Sequence, residues 1–264
     1  MGPDLPGRWF ARTQPRPEPT AVALARAEAH LERLGLVTRG AVVASGDPGG
    51  FAAAYRTLSA MEERGRVHRI YAVEGLGASQ FALPGVVDEL RAMQRELGAA
   101  PTTTLVLAAT DPANAYGAAL EWPQSQWAGD GGGPHRPSRG AGSHVVLRDG
   151  LPILYLERGG HSLLTFPVPD AGVERGEPST GAGDEATAQE VALADAAAAL
   201  VDAVRRGRVP ELTITRINGM SALQAESEHM GVVRALAEAG FTTTPRGFRA
   251  RRAAPRPSAR PPAS

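Results

Sequence analysis

TRGAVVASGDPGG FAAAYRTLSAMEERG RVHRIYAVEGLGASQFAL, residues Thr38–Leu83, decides the fold. Thr38 is a side chain that caps helices, and a short apolar run follows it to Ser45. Gly46-Asp47-Pro48-Gly49-Gly50 then stops the chain. From Phe51 to Arg64 the apolar residues Phe51, Tyr55, Leu58 and Met61 recur at i, i+4, i+7 and i+10, the spacing of one helix face. Gly65 is the C-cap. Arg66–Val73 alternates like a strand, Glu74-Gly-Leu-Gly77 is a turn, and Ala78–Leu83 is the return strand. Upstream, an N-cap at Thr20 starts a helix whose face carries Val22, Leu24, Ala25, His30, Leu31 and Leu34, and Gly35 ends it. Three helices followed by a hairpin predict a winged helix-turn-helix, with the third helix as recognition helix and the hairpin as wing. Pro84 leads into one more helix, Val86–Leu97, stopped by Gly98.

The period changes at Pro101. Thr102–Ala109, Ser143–Leu147, Pro152–Glu157 and Ser162–Phe166 read as strands, with turns at Gly150 and Gly159-Gly160. Thr187–Arg206 is an Ala-rich helix, Glu211–Ile217 a strand, Gly231–Ala239 a helix and Phe241–Arg249 a last strand. The expected class is α+β: a winged helix-turn-helix, then a small antiparallel β-barrel-like sheet with a C-terminal α/β cap. The expected segments are an extended lead-in at 1–19, the winged helix and following helix at 20–100, and the barrel-like module at 101–169. That module holds a Gly/Pro-rich insertion at 124–142. An acidic flexible linker at 170–185, the α/β segment at 186–250 and a disordered Arg/Pro tail at 251–264 complete the chain.

Composition narrows the chemistry. The 264 residues carry 28 basic and 28 acidic side chains, and every basic one is Arg. Without Lys there is no phosphate loop of the GK[ST] kind and no Schiff-base enzyme. Without Cys there are no disulfides, thiolate catalysis or iron–sulfur clusters. His135, His144 and His161 lack metal-ligand spacing, so no metal site is expected. The most apolar runs, Leu105–Ala109 and Ala196–Val201, fall far short of the ~20 residues that span a bilayer. The first ten residues do not read as a signal peptide, so the expected location is cytoplasmic and no membrane partner is expected.

Binding nucleic acid requires cations that track phosphates. On the winged segment these are Arg56, Arg64, Arg66, His68 and Arg69. Arg56 lies one position off the apolar stripe and can face solvent. A winged helix also serves as a docking or spacer module, in which case the Args only solvate a face, and Glu62 and Glu63 share this helix. The tail residues Arg246, Arg249, Arg251, Arg252, Arg256 and Arg260 form a second basic set, a phosphate clamp or a solubilising tail. Asp111 follows a strand, where a carboxylate can activate water for attack at an anomeric carbon. Asp-Pro followed by Asn also initiates turns by bonding its own backbone. Tyr116, Trp122 and Trp127 flank the insertion as candidates for stacking on unpaired bases, or as core.

Several blocks resemble the region C-terminal to the motor of the large helicase-related (Lhr) proteins. They are Gly7-Arg8-Trp9, Leu36-Val-Thr-Arg39, Gly49-Gly50-Phe51, Tyr71-Ala-Val-Glu-Gly-Leu-Gly77 and Gln80-Phe-Ala-Leu-Pro84. In the second half they are Ala109-Thr-Asp-Pro-Ala-Asn114, Tyr116-Gly-Ala118, Leu154-Tyr-Leu-Glu-Arg-Gly-Gly160, Ala239-Gly-Phe241 and Pro245-Arg-Gly247. The resemblance implies an ATP-dependent DNA helicase of DNA repair, with two RecA-like lobes ahead of winged helices and a barrel-like module. ATP and Mg would belong to those lobes, which this sequence does not contain. DNA or an RNA–DNA hybrid is the expected partner, with motor lobes encoded separately. A homo-oligomer through the Ala-rich helix is a further expectation. The winged-helix and barrel combination also resembles the alkylpurine DNA glycosylases, which keeps base excision open. Gln124-Ser-Gln126 resembles a glutamine pair of those enzymes.

Overall fold

A computed structural model describes residues 17–77, 79–96, 101–124, 136–168, 182–224 and 229–253, without the side chains of 96 and 182–186. The chain divides into two compact units, Met1–Arg95 and Glu96–Ser264.

The first unit is a winged helix. Helix α1 (Pro19–Leu34) starts one residue before the expected cap. Pro19 occupies its first turn, where the fixed φ suits a helix and the missing N–H is no loss. Glu18 stands at the N-cap without a side-chain cap bond, and Gly35 at φ 66° ends the helix. After the short strand β1 (Leu36–Val37), Thr38 Oγ1 caps α2 (Arg39–Ser45) by accepting from Ala41 N at 3.3 Å. Gly46, Gly49 and Gly50 all have positive φ in the turn to α3 (Gly50–Glu63), a conformation that side chains resist. Leu58 and Met61 of the expected stripe are buried, and Phe51 and Tyr55 pack on the same core beside Leu31, Val42 and Phe81. Strands β2 (His68–Ile70) and β3 (Gln80–Ala82) complete a sheet in the order β1-β3-β2. The paired wing is shorter than the sequence predicts. Beyond Ile70, Ala72 N and Val73 N bond to the Gln80 side chain instead of a strand. Helix α4 (Val86–Glu96) follows.

The second unit is built on one sheet. Strands β4 (Thr104–Ala108), β5 (His144–Arg148), β6 (Leu151–Leu156) and β7 (Ser162–Thr165) run antiparallel in sequence order. Helix α5 (Ala182–Arg205) begins five residues earlier than expected. Next come β8 (Leu212–Ile214), β9 (Arg216–Ile217), β10 (Met220–Ser221), α6 (Met230–Ala239), β11 (Thr242–Thr244) and β12 (Gly247–Ala250). The large sheet has the order β10-β9-β7-β6-β5-β4, with β9 parallel to β7. Since β4 and β10 sit at opposite edges, the described strands make an open sheet, and no closed barrel is found among them.

Two strands predicted as continuous are broken. The stretch 211–217 splits at Thr215, because Thr215 N and Arg216 N both turn to His161 O, at 2.8 and 3.0 Å. Its first half, β8, joins a separate sheet of order β11-β12-β8. The stretch 241–249 is a hairpin that turns at Pro245-Arg246. Gly247 is required there: it has φ 127°, and a Cβ would lie 2.0 Å from Ile214 O. One core joins sheet and helices. Val146, Leu154, Leu156 and Leu163 meet Ala192, Ala196, Leu200 and Val204 of α5 and Val232 and Leu236 of α6. The small Ala side chains let α5 lie close to the sheet, and Arg148 fastens it to Asp195 at 2.9 Å.

Candidate nucleic-acid interface

The recognition-helix face of α3 is sparsely charged. Its solvent-exposed side chains are Ala52, Arg56 and Glu63. Arg56 has no hydrogen bond or ion pair among the described residues. Arg64 folds back onto Ala60 O at 3.1 Å. Arg66 pairs with Glu28 of α1 at 2.7 Å. Arg69 is the most engaged. It holds Glu62 at 2.6 and 3.0 Å, Tyr55 Oη at 2.9 Å and Ser59 Oγ at 3.2 Å. Its guanidinium also lies 5.2 and 5.1 Å from the ring centres of Tyr55 and Phe81. The Glu62 carboxylate therefore holds the Arg69 proton above its ordinary value. His68 is exposed on the wing. An exposed pair such as Arg66–Glu28 is worth ~0–1 kcal/mol, so a phosphate can displace Glu28, whereas Arg69 would have to leave its own fold.

The sequence reading missed the residue that shapes the wing. Gln80 is fully buried, and its amide makes four hydrogen bonds. Oε1 accepts from Ala72 N at 3.2 Å and Val73 N at 3.0 Å, while Nε2 donates to Val73 O at 2.7 Å and Gly77 O at 2.8 Å. Backbone groups of residues 72, 73 and 77 thus converge on one amide, and Tyr71 beside them is 64% exposed. The signal was present in the sequence: Gln80 is a polar side chain inside the predicted return strand Ala78–Leu83, next to Phe81.

In the second unit, Asp111 lies in the loop after β4. Its Oδ1 accepts from Ala113 N at 2.9 Å, a turn closed by the residue's own side chain. Its Oδ2 takes no hydrogen bond among the described residues, so one carboxylate oxygen is open to a proton. Asn114 is buried and ties the loop to itself through Ala109 O at 2.9 Å and Tyr116 N at 3.1 Å. Arg139, which sequence reasoning also missed, donates to four carbonyls of this loop: those of Thr110, Asp111, Asn114 and Tyr116.

Tyr116 and Trp122 stack on each other at 5.8 Å. Trp122 also packs against Tyr155 at 5.4 Å and Phe166 at 6.3 Å, and Tyr116 Oη reaches Gly150 O at 3.1 Å. Burial raises the Tyr116 pKa. Both rings are half-buried in this cluster. Trp127, Gln126 and His135 lie outside the described residues.

His144 and His161 do not form a ligand set: among the described residues no three His, Asp or Glu could hold a metal ion. His161 Nδ1 meets Thr213 O at 3.1 Å. His144 is half-buried beside a cleft of about 70 Å³ bounded by Leu156, Gly160, Val209 and Glu211. Desolvation lowers its pKa, and its Nδ1 has no partner among the described residues. No helix among the described residues is long and apolar enough to cross a membrane.

The pattern of the winged-helix domain of large helicase-related proteins matches residues 16–102. The chain is 44% identical over 253 residues to the Lhr helicase/probable uracil glycosylase of Mycolicibacterium smegmatis, covering 94% of this chain and 15% of that protein. It is 33% identical over 249 residues to the Lhr helicase/uracil glycosylase of Escherichia coli K12, covering 93% of this chain and 14% of that protein. The chain thus spans about a seventh of the length of these curated relatives. The winged helix of the first unit is thus that of the large helicase-related (Lhr) proteins, and nearly all of the chain is similar to one segment of them.

Proposed function

We propose that this chain is the nucleic-acid-binding C-terminal part of an Lhr-type ATP-dependent DNA helicase of DNA repair, working in the cytoplasm on DNA or an RNA–DNA hybrid. The observation that carries this reading is the Lhr-type winged helix, whose α3 and wing offer Arg56, His68 and a displaceable Arg66 to phosphates. The ATP-driven step belongs to motor lobes elsewhere. The sequence has no Lys to reach the β/γ-phosphates, so no part of ATP turnover is assigned to these residues. The test is a binding titration of the purified chain against duplex, hybrid and single-stranded oligonucleotides between 50 and 200 mM salt. Affinity that falls steeply with salt is expected, together with no nucleic-acid-stimulated ATP hydrolysis. Absence of binding at the lowest salt refutes the reading.

A second reading, base excision, is favoured by the names of both relatives, which include uracil glycosylase. In this reading Asp111 is the general base, its open Oδ2 taking a proton from the attacking water. The test is incubation with a uracil-containing duplex followed by alkaline cleavage of abasic sites. Asn at position 111 keeps the oxygen that accepts from Ala113 N and cannot take a proton. Strand breaks made by the parent chain and reduced ~10²–10⁴-fold in a folded Asp111→Asn support excision. Parent activity that survives Asp111→Asn leaves Asp111 a turn-former, and no breaks in either removes the second reading.

A further inference from the structure

We infer that the second unit carries its own surface for a nucleic-acid phosphate backbone, built from Arg205, Arg251 and Arg252 where the end of α5 meets the end of β12. The inference rests on the nucleic-acid-binding reading and places a grip outside the winged helix. Arg205 is in the last turn of α5, and Arg206 and Arg208 follow it. Residues 251–253 run back across this turn. Ala253 N donates to Arg205 O at 3.3 Å, and Arg252 N donates to Glu211 Oε1 at 3.2 Å. The Arg252 guanidinium lies flat against Gly207, where a Cβ would come within 2.8 Å of its Cζ. The Arg205 guanidinium lies as closely against Gly240 at the end of α6. Stretches of chain some 45 positions apart thus meet at the end of α5, and each brings exposed Arg side chains to it.

The charge here is not balanced. Asp202 already binds Arg206 at 2.9 Å and Arg208 at 3.2 Å, and Glu211 faces Arg249 at 3.6 Å. Arg205, Arg251 and Arg252 are exposed, and none has a carboxylate partner among the described residues. Glu238, two residues before Gly240, is ion-paired with none of them. Over the whole chain acids and bases are equal in number, so the excess is a local arrangement and not a bias of composition. The C-terminal end of α5 offsets roughly half of one charge, which leaves most of the repulsion uncompensated. Flat guanidinium groups with free N–H edges fit phosphate oxygens, and a series of phosphates matches several such groups at once. By contrast, the winged helix has two of its Args tied to Glu28 and Glu62.

The test compares salt slopes of duplex binding, by fluorescence anisotropy, for the full 264-residue chain. The triple variant Arg205→Gln, Arg251→Gln, Arg252→Gln keeps the packing stems and removes the charges. Each lost phosphate contact lowers the slope of log affinity against log salt by ~0.9, so a fall of about 2.7 is expected. At 0.1 M salt the affinity should drop on the order of 10²-fold. The corresponding triple Lys variant should keep the parent slope. The pair Arg206→Gln, Arg208→Gln, whose guanidinium groups share the one Asp202 carboxylate, should change it by less than one unit. If the triple Gln variant melts early, Arg251→Glu replaces it, because the Arg251 side chain makes no bond among the described residues, and it should lower the slope by at least one unit. A parent slope in both the triple Gln variant and Arg251→Glu overturns the inference while the nucleic-acid reading stands. A parent chain that does not bind duplex, or that binds an acidic peptide in preference to it, overturns both.

Discussion

Replacing Gln80 by Leu tests whether one buried amide sets the shape of the wing. The substitution nearly conserves volume, so the effect is confined to hydrogen bonds. Four are lost: those to Ala72 N, Val73 N, Val73 O and Gly77 O. A hydrogen bond contributes about 0.5–1.5 kcal/mol net, and a buried group left without a partner costs ~1–3 kcal/mol. Ala72 and Gly77 are exposed, so water can recover part of the loss. A destabilisation of roughly 2–4 kcal/mol in the first unit follows. With a urea dependence of about 1.5 kcal/mol per M, its midpoint should fall by roughly 2 M. Hydrogen exchange gives the local readout, since Ala72 and Val73 amides should lose protection while Phe81 keeps its own. Gln80→Glu sharpens the test. It retains the oxygen that accepts from the two N–H groups and turns a second oxygen on the carbonyls of Val73 and Gly77. At neutral pH it should be worse than Leu. As pH falls the carboxyl takes a proton, donates to one carbonyl and regains stability, the reverse of an ordinary surface carboxylate. Unchanged protection of Ala72 and Val73 in Gln80→Leu, with a midpoint within about 0.2 M of the parent, would refute the idea that the amide holds the wing.

Three other outcomes are expected. Arg56→Ala with Arg66→Ala should weaken duplex binding and lower the salt slope by roughly one to two units, read by titrations at several salt concentrations. His144 carries a pH signature: burial puts its folded pKa below the unfolded value, so the unfolded chain binds the extra proton and stability falls as pH drops through about 6.5. Melting curves between pH 7.5 and 5 should show a smaller acid loss in His144→Leu than in the parent, and equal losses would exclude this source. Gly247→Ala should destabilise the second unit by ~3 kcal/mol or more in urea melts, since Ile214 O stands where the methyl group would go and φ is 127°. A loss under ~1 kcal/mol would mean that the hairpin shifts to admit it.

What could be read from the sequence depended on how far apart the interacting groups are in the chain. The winged helix was legible because its signals are local: Thr38 bonds three residues on, and the glycines at 46, 49 and 50 punctuate the turn they sit in. The helical period of Phe51, Tyr55, Leu58 and Met61 gave the core face of α3 for the same reason. The breaks in the second unit are not local. Thr215 interrupts its strand because a carbonyl 54 residues away, on His161, takes its N–H, and no composition rule encodes that partner. Closure into a barrel was equally out of reach, since the parallel pairing of β9 with β7 leaves β4 and β10 at opposite edges. At the candidate interfaces the sequence named the cations and could not say which were already bound. Arg69 and Arg56 look alike on paper. In the fold one is held by Glu62, Tyr55 and Ser59, and the other has no bond among the described residues. The same reasoning moves weight towards Arg205, Arg251 and Arg252: the sequence already set Arg251 and Arg252 in a basic tail, and Arg205 joins them only when the chain returns across the end of α5.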